Sequence, residues 1–483
     1  SLGLSVKQNG SDTDKNAKEL YSLGYGVYGE IYITPIKNLE WYFEANVNGD
    51  TAAPVKFAAS TGITASGNST RSVMTSILGR VFYSYDNRYL VTATIRRDGS
   101  SKFGKNNRYG NFPSVSVGWN VAEESFIKGK VNWLDQLKLR GGYGVLGNQE
   151  ISDYQYVSVV TTGINYPDGK SGLIKGAFPK TFANPDIRWE ETAMTNIGID
   201  LMALNNRLSL TADWYVKNTK DILLNVPIPI STGGANDPIR NAGKIQNTGV
   251  EFNLGWNDRI SNDLSYGLSF IGTYNKNEVK EMGSESQAIT GGTIHGGTYT
   301  TKTIAGYPIG GFWLIKTDGY FNSVDEVNRH SKDGVLIQPS AEPGDVRFVD
   351  ENGNGTIDDD DRVYCGSPFP KFTYAFNANV TYKNFDLSLG FQGVAGNKIY
   401  NATRLQLEDV TRGTNYLASC LDYWTPENQN AAHPRLIWTD PNRNLRSESD
   451  RCLESGSYFR LRTLQLGYTF PTAWFGGLVK KAR

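Results

Sequence analysis

Leu208-Ser-Leu-Thr-Ala-Asp-Trp-Tyr-Val-Lys217 is the stretch that decides the fold. Its even positions carry Leu208, Leu210, Ala212, Trp214 and Val216; its odd positions carry Ser209, Thr211, Asp213, Tyr215 and Lys217. A period of two puts each set on its own face of a strand. Soluble strands usually run about five or six residues, whereas a strand crossing a bilayer needs about nine to eleven. Phe385 to Gln392 repeats the pattern, with Phe385, Leu387, Leu389 and Phe391 set against Asp386, Ser388, Gly390 and Gln392. The expected fold class is therefore all-β: a large antiparallel transmembrane β-barrel, lipid on one face and water on the other.

Working outward, the same alternation predicts strands over 25–33, 39–47, 75–85, 89–97, 112–121, 137–145, 188–202, 207–217, 248–257, 264–275, 373–382, 385–392 and 458–470, with 2–7 as the end of one more. The last slips phase near Thr463, which predicts a bulge. Short turns alternate with long Gly/Asn/Asp/Ser/Thr-rich segments, the longest being 146–187, 278–372 and 393–457. Outer-membrane barrels sort their connections this way, short turns inside and long loops outside. Trp41, Tyr85, Tyr89, Trp119, Trp189, Tyr382 and Phe385 fall at strand ends, where an interfacial aromatic belt is expected.

The bulk composition permits this reading without deciding it. The chain has 483 residues with 49 basic and 49 acidic side chains, so no basic field draws in nucleic acid. Mean hydropathy is −0.43 and no apolar run is long enough for a membrane helix. Alternating strands look polar to such averages. Cys365, Cys420 and Cys452 match no zinc or redox spacing; Cys420 and Cys452 either pair in an oxidising compartment or stand as unrelated thiols. Ser1-Leu-Gly-Leu4 lacks the form of a signal peptide, which implies a mature chain or an absent beginning. Phe470-Pro471 ends a strand, and Thr472 to Arg483 reads as one more short turn. An open sheet edge cannot face lipid, so about fourteen strands are expected to be part of a larger closed barrel.

Six stretches together resemble the SusC/RagA family of TonB-dependent outer-membrane transporters. They are Arg97-Asp-Gly-Ser-Ser-Lys-Phe103 leading to Tyr109-Gly-Asn-Phe-Pro-Ser-Val-Ser-Val-Gly-Trp119; Leu137-Lys-Leu-Arg-Gly-Gly-Tyr-Gly144; Asn184-Pro-Asp-Ile-Arg-Trp-Glu190; Asn241-Ala-Gly-Lys-Ile-Gln-Asn-Thr-Gly-Val-Glu251; Pro343-Gly-Asp-Val-Arg-Phe348; and Tyr458-Phe-Arg-Leu-Arg-Thr-Leu-Gln-Leu-Gly-Tyr468. The resemblance implies a plugged barrel of the 22-stranded kind in the outer membrane of a Gram-negative bacterium. It further implies that residues 1–483 are barrel wall and extracellular loops, the plug and final strands lying outside this sequence. By the same resemblance, the transporter imports oligosaccharides or peptides. Its partners would be a SusD-like surface lipoprotein acting as a lid and, through the plug, the TonB–ExbB–ExbD complex. A passive porin and a soluble or surface calcium-dependent binding protein are the alternatives.

The sharpest local motif runs from Asp350 to Asp361. Asp350, Asn352, Asn354, Thr356, Asp358 and Asp361 follow calcium-loop spacing, with Gly355 at the turn. A bound Ca²⁺ or Mg²⁺ is one expectation; an Asn/Gly-rich surface turn held by its own side chains is the other. Catalysis finds no support. His295, His330 and His433 lack metal-spaced partners and read as loop side chains. Glu190 and Glu191 are neighbours in a strand and face apart, and Gly291 to Gly297 lacks the phosphate-loop Lys-Ser/Thr. Tyr166, Tyr299, Tyr307, Trp313, Tyr416, Tyr423 and Trp424 could stack on sugars, but loop aromatics more often pack the loop itself. No substrate-binding residue is assigned.

Overall fold

The structure is a computed structural model. It describes residues 2–9, 22–36, 39–52, 55–58, 64–67, 70–167, 169, 172–226, 237–283, 288–294, 298–471 and 474, and side chains from residue 71 onward save those of 159, 163, 166, 180 and 181. The side chains of Trp41 and Tyr166, the residue His295, and the turn expected over 472–483 apart from residue 474 lie outside what is described.

Fourteen strands form one sheet in chain order. They are β1 (Leu2–Asn9), β2 (Ser22–Ile36), β3 (Leu39–Ala52), β4 (Thr70–Tyr85), β5 (Tyr89–Ser100), β6 (Tyr109–Asn120), β7 (Leu134–Asn148), β8 (Glu190–Ala203), β9 (Leu208–Lys220), β10 (Lys244–Arg259), β11 (Leu264–Glu281), β12 (Phe372–Tyr382), β13 (Phe385–Ala395) and β14 (Tyr458–Tyr468). All fourteen expected strands are present. Their short-turn ends fall within about three residues of expectation, but most run further at the long-loop ends. The cause is visible in β9 and β10, where Asn218, Thr219 and Lys220 pair with Gln246, Ile245 and Lys244. The ladder continues past the point where lipid imposes alternation. No described helix is long and apolar enough to cross a membrane, which says nothing of strands.

The chain divides into two compact units. In the first (Ser1–Ile271, Lys280–Gln287 and Val380–Lys383), one register row passes through Tyr83, Val91, Val117, Gly141, Ile197, Trp214 and Val250 on β4 to β10. The side chains of this face stand open: Val117 is 52% exposed, Ile197 58%, and Ile77 and Ile95 on the same face 65% and 52%. A contiguous apolar surface of this extent is a binding or membrane face. The opposite face carries the charges. Arg140 donates through Nε and Nη2 to Asp200 at 2.8 and 3.0 Å, and through Nη2 to Asp213 at 2.9 Å. Gly198 sits between them in the register, and a Cβ there would collide with Asp213 Oδ1. The triad spans three strands because that position is bare.

At the short-turn end, Asp86 and Asn87 take positive φ (53° and 54°) in the tight turn between β4 and β5, a conformation Asp and Asn tolerate. Glu124 Oε1 there accepts from Tyr89 Oη at 2.6 Å and Trp119 Nε1 at 3.0 Å. Tyr89 and Trp119 thus keep an apolar body outward and a satisfied polar tip, as belt residues should. Trp189 departs from the expected belt. It precedes β8 at the long-loop end and is only 4% exposed, packed in a loop core.

The second unit (Gly272–Val279, Ala288–Asn379 and Asn384–Arg483) carries β13 and β14. Gly390 pairs with Thr463 and Phe391 with Leu461, so the expected bulge is present. Leu464 and Leu466 stand 67% and 71% exposed. Near the long-loop end Phe391 stacks on Phe459 at 5.4 Å, and Phe459 on Tyr374 at 6.1 Å. The long connections of this unit fold into a small four-stranded sheet of Ile289–Thr290, Thr301–Thr303, Gly311–Ile315 and Arg362–Gly366, with short helices α1 (Val324–Arg329) and α2 (Ala402–Glu408).

Candidate functional site

The long loops hold the residues available for recognition, and their own cores fix them. In the first unit, Phe103, Phe112, Ile151, Ile187 and Trp189 form one buried cluster. Trp189 lies 5.1 Å from Phe103 and 5.3 Å from Phe112, ring centre to ring centre. Asn241 completes the joint: its Oδ1 accepts from Arg188 N at 2.8 Å, while its Nδ2 donates to Arg188 O and Asp221 O. Three of the quoted stretches, scattered from Arg97 to Glu251, therefore meet at one place. Their residue types serve loop packing and backbone satisfaction, since buried carbonyls and amides need partners. Glu190 and Glu191 face apart as expected; Glu190 accepts from Asn148 and Leu223 N, and Glu191 pairs with Lys220.

In the second unit the stretch Pro343 to Phe348 forms a polar node. Asp345 is fully buried and accepts from Arg435 Nε at 2.7 Å, Arg435 Nη2 at 2.9 Å and Asn444 Nδ2 at 2.8 Å. Asn444 Oδ1 in turn accepts from Val346 N, and Gln338 bonds both Val346 O and Phe348 N. A buried carboxylate is tolerable because every lone pair finds a donor. Sequence inspection missed this node, since Asp345 and Arg435 stand 90 positions apart.

Asp350 to Asp361 folds into a compact turn. Asp361, 0% exposed, accepts from the N–H groups of Glu351, Asn352 and Asp358 at 2.9, 3.3 and 2.9 Å. Asp350 accepts from Asn354 N and Gly355 N, Asn352 from Asn354 N, and Asn354 from Thr356 N. Asp358 accepts from Asn354 Nδ2 and caps a short 3-10 turn, and Gly355 supplies the positive φ of 91° the turn requires. All six expected ligands share the loop. Among the described residues no three Asp, Glu, His or Cys side chains gather as a metal-holding group.

The loop aromatics mostly pack the loops. Tyr307, Trp313 and Tyr364 cluster at 4.9 to 6.2 Å; Trp424 is buried with Nε1 on Asn322; Tyr416 bonds Val410 O; Arg362 lies over Tyr299. His433, which precedes Pro434 and reads from the sequence as a loop side chain without a partner, is not free in solvent. It is 3% exposed, with Nδ1 3.4 Å from Glu408 Oε2, beside α2. Cys420 and Cys452 are buried free thiols, and burial pushes Cys452 up to about 11. His330 lines an open cleft of about 570 Å³ with Asp318, Glu326, Arg329, Ile337, Arg347, Phe348, Val349 and Asp350.

Residues 3–478 match the family model described as "TonB dependent receptor-like, beta-barrel". The chain is 33% identical over 405 residues to TonB-dependent receptor P3 of Formosa agariphila, covering 83% of this chain and 39% of that protein. It is 32% identical over 416 residues to TonB-dependent receptor SusC of Bacteroides thetaiotaomicron, covering 84% and 38%. The RagAB peptide transporter structure superimposes with a TM-score of 0.77 at 23% identity, over 95% of this chain and 50% of that one. The chain thus spans about two-fifths of the length of the curated relatives it matches. Receptors of this kind reside in the outer membrane of Gram-negative bacteria. A lipid-facing apolar row, a charged opposite face and a match running nearly end to end make this chain a member of the TonB-dependent receptor-like β-barrel family, with SusC among its relatives.

Proposed function

We propose that residues 1–483 are the wall and extracellular loops of an active outer-membrane importer of oligosaccharides or peptides. The unbroken apolar row across β4 to β10, backed by the Arg140–Asp200–Asp213 triad, carries the reading. Such a wall needs oil outside and water inside. In this proposal a plug carried by a longer polypeptide fills the bore and couples to TonB–ExbB–ExbD. A SusD-like lipoprotein closes over the loops 146–187, 278–372 and 393–457. The relatives named above are receptors, and transport rather than catalysis is the work assigned. The test is uptake of labelled oligosaccharide and peptide mixtures by cells expressing the full receptor. Import that a protonophore abolishes supports the proposal; import that persists unchanged gives a passive porin instead.

The turn from Asp350 to Asp361 is assigned Ca²⁺ or Mg²⁺ as an ion that stiffens the loop, on the spacing of its oxygen-bearing residues. Calcium titration calorimetry on the native chain and on Asp350→Asn decides it. Equal heats in the two proteins remove the ion.

A further inference from the structure

The cleft at α1 has more hydrogen-bond donors than its neighbours use. Its acids are engaged: Asp318 Oδ2 takes Arg347 Nη2 at 2.8 Å, Glu326 Oε2 takes Asn322 N at 2.7 Å, and both oxygens of Asp350 take loop N–H groups. Its bases are not. Arg329 donates through Nε to Asp325 O, and no partner is found among the described residues for its two terminal nitrogens. Arg347 Nε is buried with no hydrogen-bond partner. Buried polar atoms left unpaired are uncommon in folded proteins and call for a missing partner.

The volume, about 570 Å³, suits a small organic ligand. The floor supplies Ile337 and Val349, both half-buried, while the Phe348 ring is 1% exposed and offers no face for a sugar to stack on. Burial, and then the nearby Arg347, hold the His330 imidazole below its ordinary pKa. The positive charge comes from the two guanidinium groups, Arg329 with both terminal nitrogens open and Arg347 with Nη2 already on Asp318.

We propose that this cleft binds a carboxylate, held by Arg329 and Arg347, whose adjoining apolar group rests on Ile337 and Val349. Guanidinium pairs with carboxylate through two parallel N–H donors, which fixes geometry as well as charge. The carboxylate belongs to a peptide end or to an acidic sugar, and the two sources share this chemistry. The inference goes beyond import: binding is read in detergent without a membrane gradient, so it can fail while uptake succeeds, and the reverse.

The test is isothermal titration of the full chain with N-acetyl-leucine, its neutral amide N-acetyl-leucinamide, and glucuronate. At least one acid should bind at least tenfold more tightly than the amide. Arg329→Ala, a change at an exposed helix end, should cost tenfold or more, and Arg329→Lys should recover part of it. Tighter N-acetyl-leucine marks a peptide source and tighter glucuronate an acidic sugar, and either supports the site. Acid and amide binding alike, no heat from either acid, or an Arg329→Ala affinity within twofold of native would overturn it.

Discussion

Replacing Ile95 by Arg tests the assignment of the two faces at its most sensitive depth. Ile95 lies six residues beyond Tyr89 on β5. At about 3.4 Å per residue and a tilt near 45°, that places it roughly 14 Å below the Tyr89 belt. The apolar band of such barrels is about 25 Å tall, so Ile95 sits near its middle. Arg at the midplane costs about 2–4 kcal/mol, falling to about 0–1 near the interface. Ile95→Arg should therefore lower the folded-to-unfolded ratio roughly 30- to 700-fold. Val91, two residues from Tyr89, should lose much less on change to Arg. Thr92→Arg points to the other face, opposite Phe82 and Ser116, and should be nearly silent. Urea titration of the full receptor refolded into lipid vesicles, followed by tryptophan fluorescence, measures all three. If Ile95→Arg and Thr92→Arg shift the midpoint equally, the assignment of a lipid face and a water face to this hairpin is wrong, and if Thr92→Arg shifts it more, the two faces have been exchanged.

Trp189→Ala should loosen the loop core by about 3–5 kcal/mol, as large-to-small changes in packed cores do. Faster proteolysis within 149–187, with the wall strands still protected, is the expected pattern. The buried thiols of Cys420 and Cys452, both raised by desolvation, should resist iodoacetamide at pH 8 until the loops unfold; rapid labelling of either in the native chain contradicts the packing. Glu448 is buried, which works to raise its pKa, but Arg446 and Arg443 outweigh that and hold it below the usual carboxylate range. The stabilisation is full above the unfolded value of about 4.3 and is lost as pH falls through the lower folded value. Protease sensitivity of the loop around Glu448 should accordingly stay flat from pH 7 to 5 and rise only below about pH 4.

The wall was legible because lipid and water together force a period of two, which survives in Leu208 to Lys217 without help from distant residues. The far strand ends were less legible, since Asn218 to Lys220 pair in water where no alternation is imposed. Trp189 and His433 were misread for a different reason. Their local context, a strand start and an X-Pro step, says nothing of Phe103 or Glu408, the partners that bury them. The quoted stretches could be recognised as a set, but their use became plain only when Phe112, Trp189 and Asn241 met. The cleft at α1 left no trace in the spacing of Arg329, Arg347 and Asp318.

The overrun of the ladder on the loop side gives the wall vertical tolerance. β11 continues to Glu281, six residues past the end its alternation suggests, which is roughly 14 Å of extra height at a 45° tilt. On β9 and β10, Gln246 Nε2 donates to Asn218 Oδ1 at 2.9 Å, so the extra rungs carry their own polar links. A bilayer thickening or thinning by a few Å then meets backbone already paired, and the molecule can ride up or down without uncovering an amide to hydrocarbon.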